Sequence, residues 1–195
     1  MGTKDFSIPY SSEFIKDEYI RTLRIIFFAI GTGPILFWAV ILFLFSNQPL
    51  LINEADLSLL NIMSGIHAVM LITMIILSDY IFKKALIGSE NFLQSLSGAL
   101  FENKAQPTNP QEKFWGLFQS LSIMRLAMLE GASFFGLVVC FLAGTQGVLS
   151  TYPIFWINSV STLLLVSFVV KQFPSKEKIM SFYQIFGESQ YLKTG

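Results

Sequence analysis

The chain has one cysteine, one histidine and little charge: 13 basic and 13 acidic residues among 195. Each shortage excludes something. Cys140 alone permits no disulfide within the chain and suggests no cysteine-based metal site. His67 alone excludes a histidine-rich metal centre built by a single chain. Charged residues make up 13% of the sequence, where a soluble globule carries about a quarter. The net charge is zero and no basic run or nucleic-acid module occurs, so no nucleic-acid partner is expected. There is no nucleophile beside a base, no Walker loop, no paired histidine and no intramembrane aspartate pair. The expectation is a non-enzymatic protein without cofactor or metal.

What the chain has in abundance is apolar surface: 53% hydrophobic residues, among them 20 phenylalanines. A hydrocarbon core of about 30 Å takes about 20 helical residues to cross. Stretches at about 23–45, 59–82, 121–144 and 153–170 meet that length. They predict an all-α fold, a four-helix transmembrane bundle in one integral membrane domain (1–195). The polar segment Met1–Arg21 lacks the apolar core and cleavage site of a secretory signal, so the first apolar stretch is expected to stay in the mature protein.

Lysine and arginine placement gives an orientation. Lys4, Lys16, Arg21 and Arg24 precede or open the first span, and the loop Ser46–Ser58 has none. The connection 83–112 carries Lys83, Lys84, Lys104 and Lys113 follows it; Thr145–Tyr152 has none, and the tail 171–195 has Lys171, Lys176, Lys178 and Lys193. The alternation puts both termini in the cytoplasm and the protein in a bacterial inner membrane.

The polar segments also carry helix signals. Ser11 or Ser12 can cap a helix that continues into the first span, starting about two turns outside the membrane. Ser89–Phe101 reads as an amphipathic helix ending at the turn Gln106–Pro110, after which the third helix can begin near Gln111. Pro174 ends the fourth span, Ser175 can cap a tail helix, and Ile179, Phe182, Tyr183 and Phe186 form its apolar face. That face can lie on the membrane or pack under the spans. Each half is a hairpin with an arginine near its inner end, Arg24 and Arg125, which suggests a parallel duplication.

Charges inside hydrocarbon cost about 2.5–3.5 kcal/mol each on insertion scales, so each needs a reason. Arg125 can anchor at the cytoplasmic headgroups by snorkelling. Asp79 sits at the end of the second span and can pair with Lys83 at i+4. Glu130 lies in the inner half of the core, about 20 Å from the outer surface at about 1.5 Å per residue. It is the leading ion or proton candidate, together with His67 and Arg125. Its partner is open among His67, Asn158, Ser159, Thr162 and Thr32. Small residues at Ala132, Gly136, Cys140 and Gly144, joined by Ala127 and Gly131 on a neighbouring row, allow close helix approach. Gly31, Gly33 and Pro34 do the same in the first span and are expected to kink it.

The run Ala127-Met-Leu-Glu-Gly-Ala-Ser-Phe-Phe-Gly-Leu-Val138 resembles the carboxylate helix of the proteolipid ring subunit of rotary ATPases. That resemblance implies Glu130 as a proton- or sodium-binding carboxylate. The chain differs from that family in having Gly65 alone where a glycine ladder is usual, and a much longer cytoplasmic loop. Leu23-Arg-Ile-Ile-Phe-Phe-Ala-Ile-Gly-Thr-Gly-Pro34, Met124-Arg-Leu-Ala-Met-Leu-Glu-Gly-Ala-Ser-Phe-Phe135 and Phe173-Pro-Ser-Lys-Glu-Lys-Ile179 are similar to small four-span membrane proteins of the Bacteroidetes type, from which no activity follows. Three functions are therefore expected in order: a structural or accessory component of an oligomer or larger membrane complex, a proton- or ion-coupled component using Glu130, and a lipid or hydrophobic-ligand binder beside Gly31–Pro34 and Glu130. The partners are the bilayer and either further copies or other membrane subunits.

Overall fold

In lipid every backbone N–H and C=O must find its partner within the chain, which favours long uninterrupted helices. The computed structural model describes residues 16–45, 54–87 and 110–194. Helix α1 spans Asp17–Phe45, α2 Glu54–Ile87 and α3 Pro110–Thr145. A short helical turn, α4, covers Val148–Thr151, and a 3₁₀ segment, Pro153–Ser159, runs into α5 at Val160–Gln172. Helix α6 is Lys176–Thr194. No strand occurs among the described residues. Four helices are long and apolar enough to cross a membrane: α1, α2, α3 and the continuous 3₁₀–α5 unit.

Helix α3 is the axis. Half of its most apolar window is buried, against 11% for α2, and α1, α2 and the fourth span all pack on it. One core cluster lies at the end of the bundle that carries the lysines and arginines, here the basic end. Leu23 and Phe27 of α1, Phe82 of α2 and Phe114 and Phe118 of α3 meet Ile179 and Tyr183 of α6 there. The other cluster holds Ile41, Leu60, Leu137, Cys140, Val148 and Phe155.

The tail helix thus packs under the spans through the expected face. The Phe114 and Tyr183 rings lie 5.0 Å apart and the Phe82 and Phe182 rings 5.5 Å apart, both edge to face. Its start is fixed as the Pro174–Ser175 signal requires: the backbone N–H of Lys178 donates to the Ser175 hydroxyl, and Arg24 Nε donates to the Pro174 carbonyl at 2.9 Å. The Ser11/Ser12 cap, the amphipathic helix 89–101 and the turn at 106–109 lie outside the described residues, as does the side chain of Phe186.

The first and fourth spans differ in winding. Helix α1 does not break at Gly31-Thr-Gly-Pro34: it stays helical from Asp17 to Phe45 with Pro34 inside it, so the glycines and the proline do not end the first span. Thr32 keeps to its own helix, donating to the Phe28 carbonyl at 2.7 Å. The fourth span, by contrast, is not α-helical throughout. Three side chains in turn bond the carbonyl three residues back: Asn158 Nδ2 to Phe155 at 3.0 Å, Ser159 Oγ to Trp156 at 2.7 Å and Ser161 Oγ to Asn158 at 3.1 Å. Such bonds compete with the α-helical ladder and hold the tighter 3₁₀ winding.

Candidate functional site

The polar side chains inside the bundle form three groups at different depths. Nearest the basic end, Arg125 of α3 reaches Asp79 of α2, with the guanidinium 2.7 Å from Asp79 Oδ1. Lys83 holds the other oxygen, Oδ2, at 2.6 Å. Arg125 also lies between two aromatic faces, 5.0 Å from the Phe82 ring centre and 4.6 Å from that of Phe168. Its side chain is 15% exposed and that of Lys83 69% exposed. Arg125 thus makes an interhelical ion pair, sandwiched by rings. Cation–π contacts that are desolvated contribute about 2 kcal/mol and add to the ion pair in holding the guanidinium. The Asp79–Lys83 pair stands as the spacing suggests, with Arg125 as a third member.

Further along, His67 of α2 is buried against the 3₁₀ segment. Asn158 Nδ2 donates to Ser64 Oγ at 2.9 Å, besides its bond to the Phe155 carbonyl, so its Oδ1 faces His67 Nδ1 at 3.0 Å. An amide oxygen accepts only, so Nδ1 carries a proton and donates it to Asn158. Nε2 has no hydrogen-bond partner, and it faces Gly136 so closely that an added Cβ there would stand 2.6 Å away. No ligand fits in that contact. One turn back toward the basic end, Ser133 of α3 and Thr162 of α5 share a hydrogen bond of 2.8 Å. This seam ties α2, α3 and the fourth span together.

The third group is Glu130 by itself. It is half-buried between α3 and α1, where a Cβ built on Gly33 would lie 3.9 Å from its Oε1 and 3.4 Å from the Phe134 ring. None of its expected partners reaches it: His67 and Asn158 bond each other, Thr162 bonds Ser133, Ser159 bonds Trp156 and Thr32 bonds Phe28. Among the described residues Glu130 makes no hydrogen bond or ion pair. The same residues contain no cluster of three His, Cys, Asp or Glu able to hold a metal.

The small-residue positions divide into two kinds. Ala132, Gly136, Cys140 and Gly144 are buried and face inward. Gly144 receives the Phe45 ring at a distance that a Cβ would cut to 2.6 Å, and Cys140 donates weakly to the Phe155 carbonyl at 3.5 Å. Gly31 packs on Val169 and Pro34 is buried. Gly131 meets no helix of its own chain: it is exposed and nothing lies within 4 Å of a Cβ built on it. With exposed Ala127 one turn earlier, it forms an outward row beside Glu130. Comparison with protein-family models, curated proteins and solved structures gave no match, so the geometry alone carries the functional reading.

Proposed function

We propose that this integral membrane protein is a non-enzymatic accessory component that assembles, with copies of itself or with other membrane subunits, through the α1–α3 face around Glu130. The observation that supports this reading is the position of Glu130. It is a carboxyl in the apolar part of α3 with no partner among the described residues, next to the open row Ala127 and Gly131. A lone carboxyl in hydrocarbon is costly, and small residues four apart let a second helix approach near enough to donate to it.

The test is disulfide trapping in native membranes from Ala127→Cys or Gly131→Cys in a Cys140→Ala background. An adduct with a second copy or another subunit is expected, weakened at least fivefold by Glu130→Leu and kept by Glu130→Gln, which still hydrogen-bonds. Absence of any adduct, or an adduct indifferent to Glu130→Leu, overturns the proposal. The ion-coupled reading draws on the same unpaired carboxyl and on the ring-subunit resemblance. It separates cleanly: in liposomes Glu130→Gln would abolish proton flux while leaving assembly intact.

A further inference from the structure

The ion pair Arg125–Asp79 leaves one flank of the bundle open near the basic end. Helices α2 and α5 both pack on α3 there more than on each other, and a cleft of about 590 Å³ opens between them. Its walls are Ile75 and Ile76 of α2, Leu129 of α3, and Leu164 and Phe168 of α5. Asp79, Lys83 and Arg125 stand at its basic end. Ile75, Ile76 and Leu164 are among the exposed apolar side chains, so the cleft opens on the outer, apolar surface of the spans.

We propose that this cleft binds an anionic phospholipid, with one acyl chain along the apolar walls and the phosphate at Lys83 and Arg125. The volume is in the range of small-molecule sites, about 300–1,000 Å³, and the shape suits a chain better than water. The charge count decides which lipid. One carboxylate stands between two cations, Asp79 bonding Arg125 through Oδ1 and Lys83 through Oδ2, which leaves one positive charge uncompensated. Lys83 is the mobile partner: its side chain is 69% exposed, and one of its three N–H groups serves Asp79. Arg125 is fixed between Phe82 and Phe168, so it presents its charge to the cleft at a constant position. A zwitterionic headgroup brings a second ammonium to this place and gains less. The site is separate from the Glu130 face, and neither proposal depends on the other.

The experiment is native mass spectrometry of the full chain released from nanodiscs of phosphatidylglycerol, phosphatidylcholine or an equal mixture. From the mixture the wild type is expected to retain one phosphatidylglycerol in preference to phosphatidylcholine. Lys83→Gln should lower that preference about fivefold, the ratio for about 1 kcal/mol per basic group at a membrane surface. Leu164→Trp, which fills the cleft, should remove the retained lipid. Leu163→Trp, on the exposed neighbouring position outside the cleft, should keep it. A circular-dichroism melt on each variant reports whether it is folded. Equal retention of both lipids by the wild type, an unchanged preference in Lys83→Gln, or equal loss in both tryptophan variants overturns the proposal. So does a photo-cross-link from Ile76 to protein, whether a second copy or the chain's own 88–109, in place of lipid.

Discussion

At the scale of single residues, Gly136 and Gly131 show how one residue type serves opposite purposes five positions apart. A methyl group at Gly136 would collide with the Asn158 carbonyl and the His67 ring, both held by their own hydrogen bonds. Neither can retreat without breaking the seam. Gly136→Ala is therefore expected to destabilise the isolated chain by about 1–3 kcal/mol, the usual range for overpacking. Gly131 faces open space, so alanine there removes only glycine's backbone freedom and should stabilise by roughly 0.5–1 kcal/mol. Thermal unfolding of the two variants in one detergent checks this, and equal melting temperatures would refute it. The sequence could show that both positions are small and on an apolar helix. It could not show which faces inward, since α3 is apolar around most of its circumference and its polar residues mark no single side. The pairings were nearer to being legible. Asp79 and Arg125 each lie a few residues inside the basic end of a span, and His67 and Asn158 each lie well inside the opposite end. Matching depths pairs these correctly, but it also sets Thr32 and Thr162 level with Glu130, and only their own bonds to Phe28 and Ser133 leave Glu130 alone.

At the scale of elements, the fourth span and the tail helix obey local chemistry that a count of apolar residues does not register. Seven residues of 3₁₀ helix rise about 2 Å each, so the 20-residue unit Pro153–Gln172 reaches roughly 33 Å and covers a core of about 30 Å. Its polar side chains, which in the sequence look like a weakness of the shortest span, supply the bonds that hold the longer winding. Helix α6 depends instead on its first turn. The Glu177 carboxyl is held below its ordinary value of 4.5, first by its own backbone N–H and then by the Ser175 hydroxyl, with Arg24 and Lys176 helping through charge. A carboxyl with a depressed folded-state pKa stabilises above the unfolded value, and the contribution disappears as pH falls through the folded one. The first turn of α6 should accordingly loosen as pH drops below 4.5. Amide exchange at Lys178 and Ile179, corrected for intrinsic rates, should rise relative to α3 over that window. In Glu177→Gln the ratio should be flat, and a wild type that is flat as well would remove Glu177 from this role. The proline, the serine cap and the apolar spacing made this helix readable in advance. Its docking under the bundle depended on Phe82, Phe114 and Phe118 from two other helices, which no local pattern relates to it.

For the molecule as a whole, the asymmetry of burial and the asymmetry of charge point to one arrangement. Helix α3 is the most buried span while α2 leaves most of its length to lipid or partners, so the bundle is open on its flanks and closed at the basic end by α6. Basic side chains gather at that end: Arg24 on the Pro174 carbonyl, Arg125 and Lys83 on Asp79, and Lys178 on the carbonyls of Lys171 and Phe173. Lysine and arginine are retained on the cytoplasmic side during insertion, so the end with α6 is expected to face the cytoplasm. Thr145, the exposed last residue of α3, then faces outward, and Ser181, exposed on α6, faces inward. The native Cys140 is fully buried, so the wild type should give no background with a membrane-impermeant maleimide. Thr145→Cys should react in intact cells, and Ser181→Cys only after permeabilisation. The reverse pattern would invert the bundle and move the phospholipid cleft to the other leaflet. Labelling of both from one side would mean that the 3₁₀–α5 unit between them does not cross the membrane.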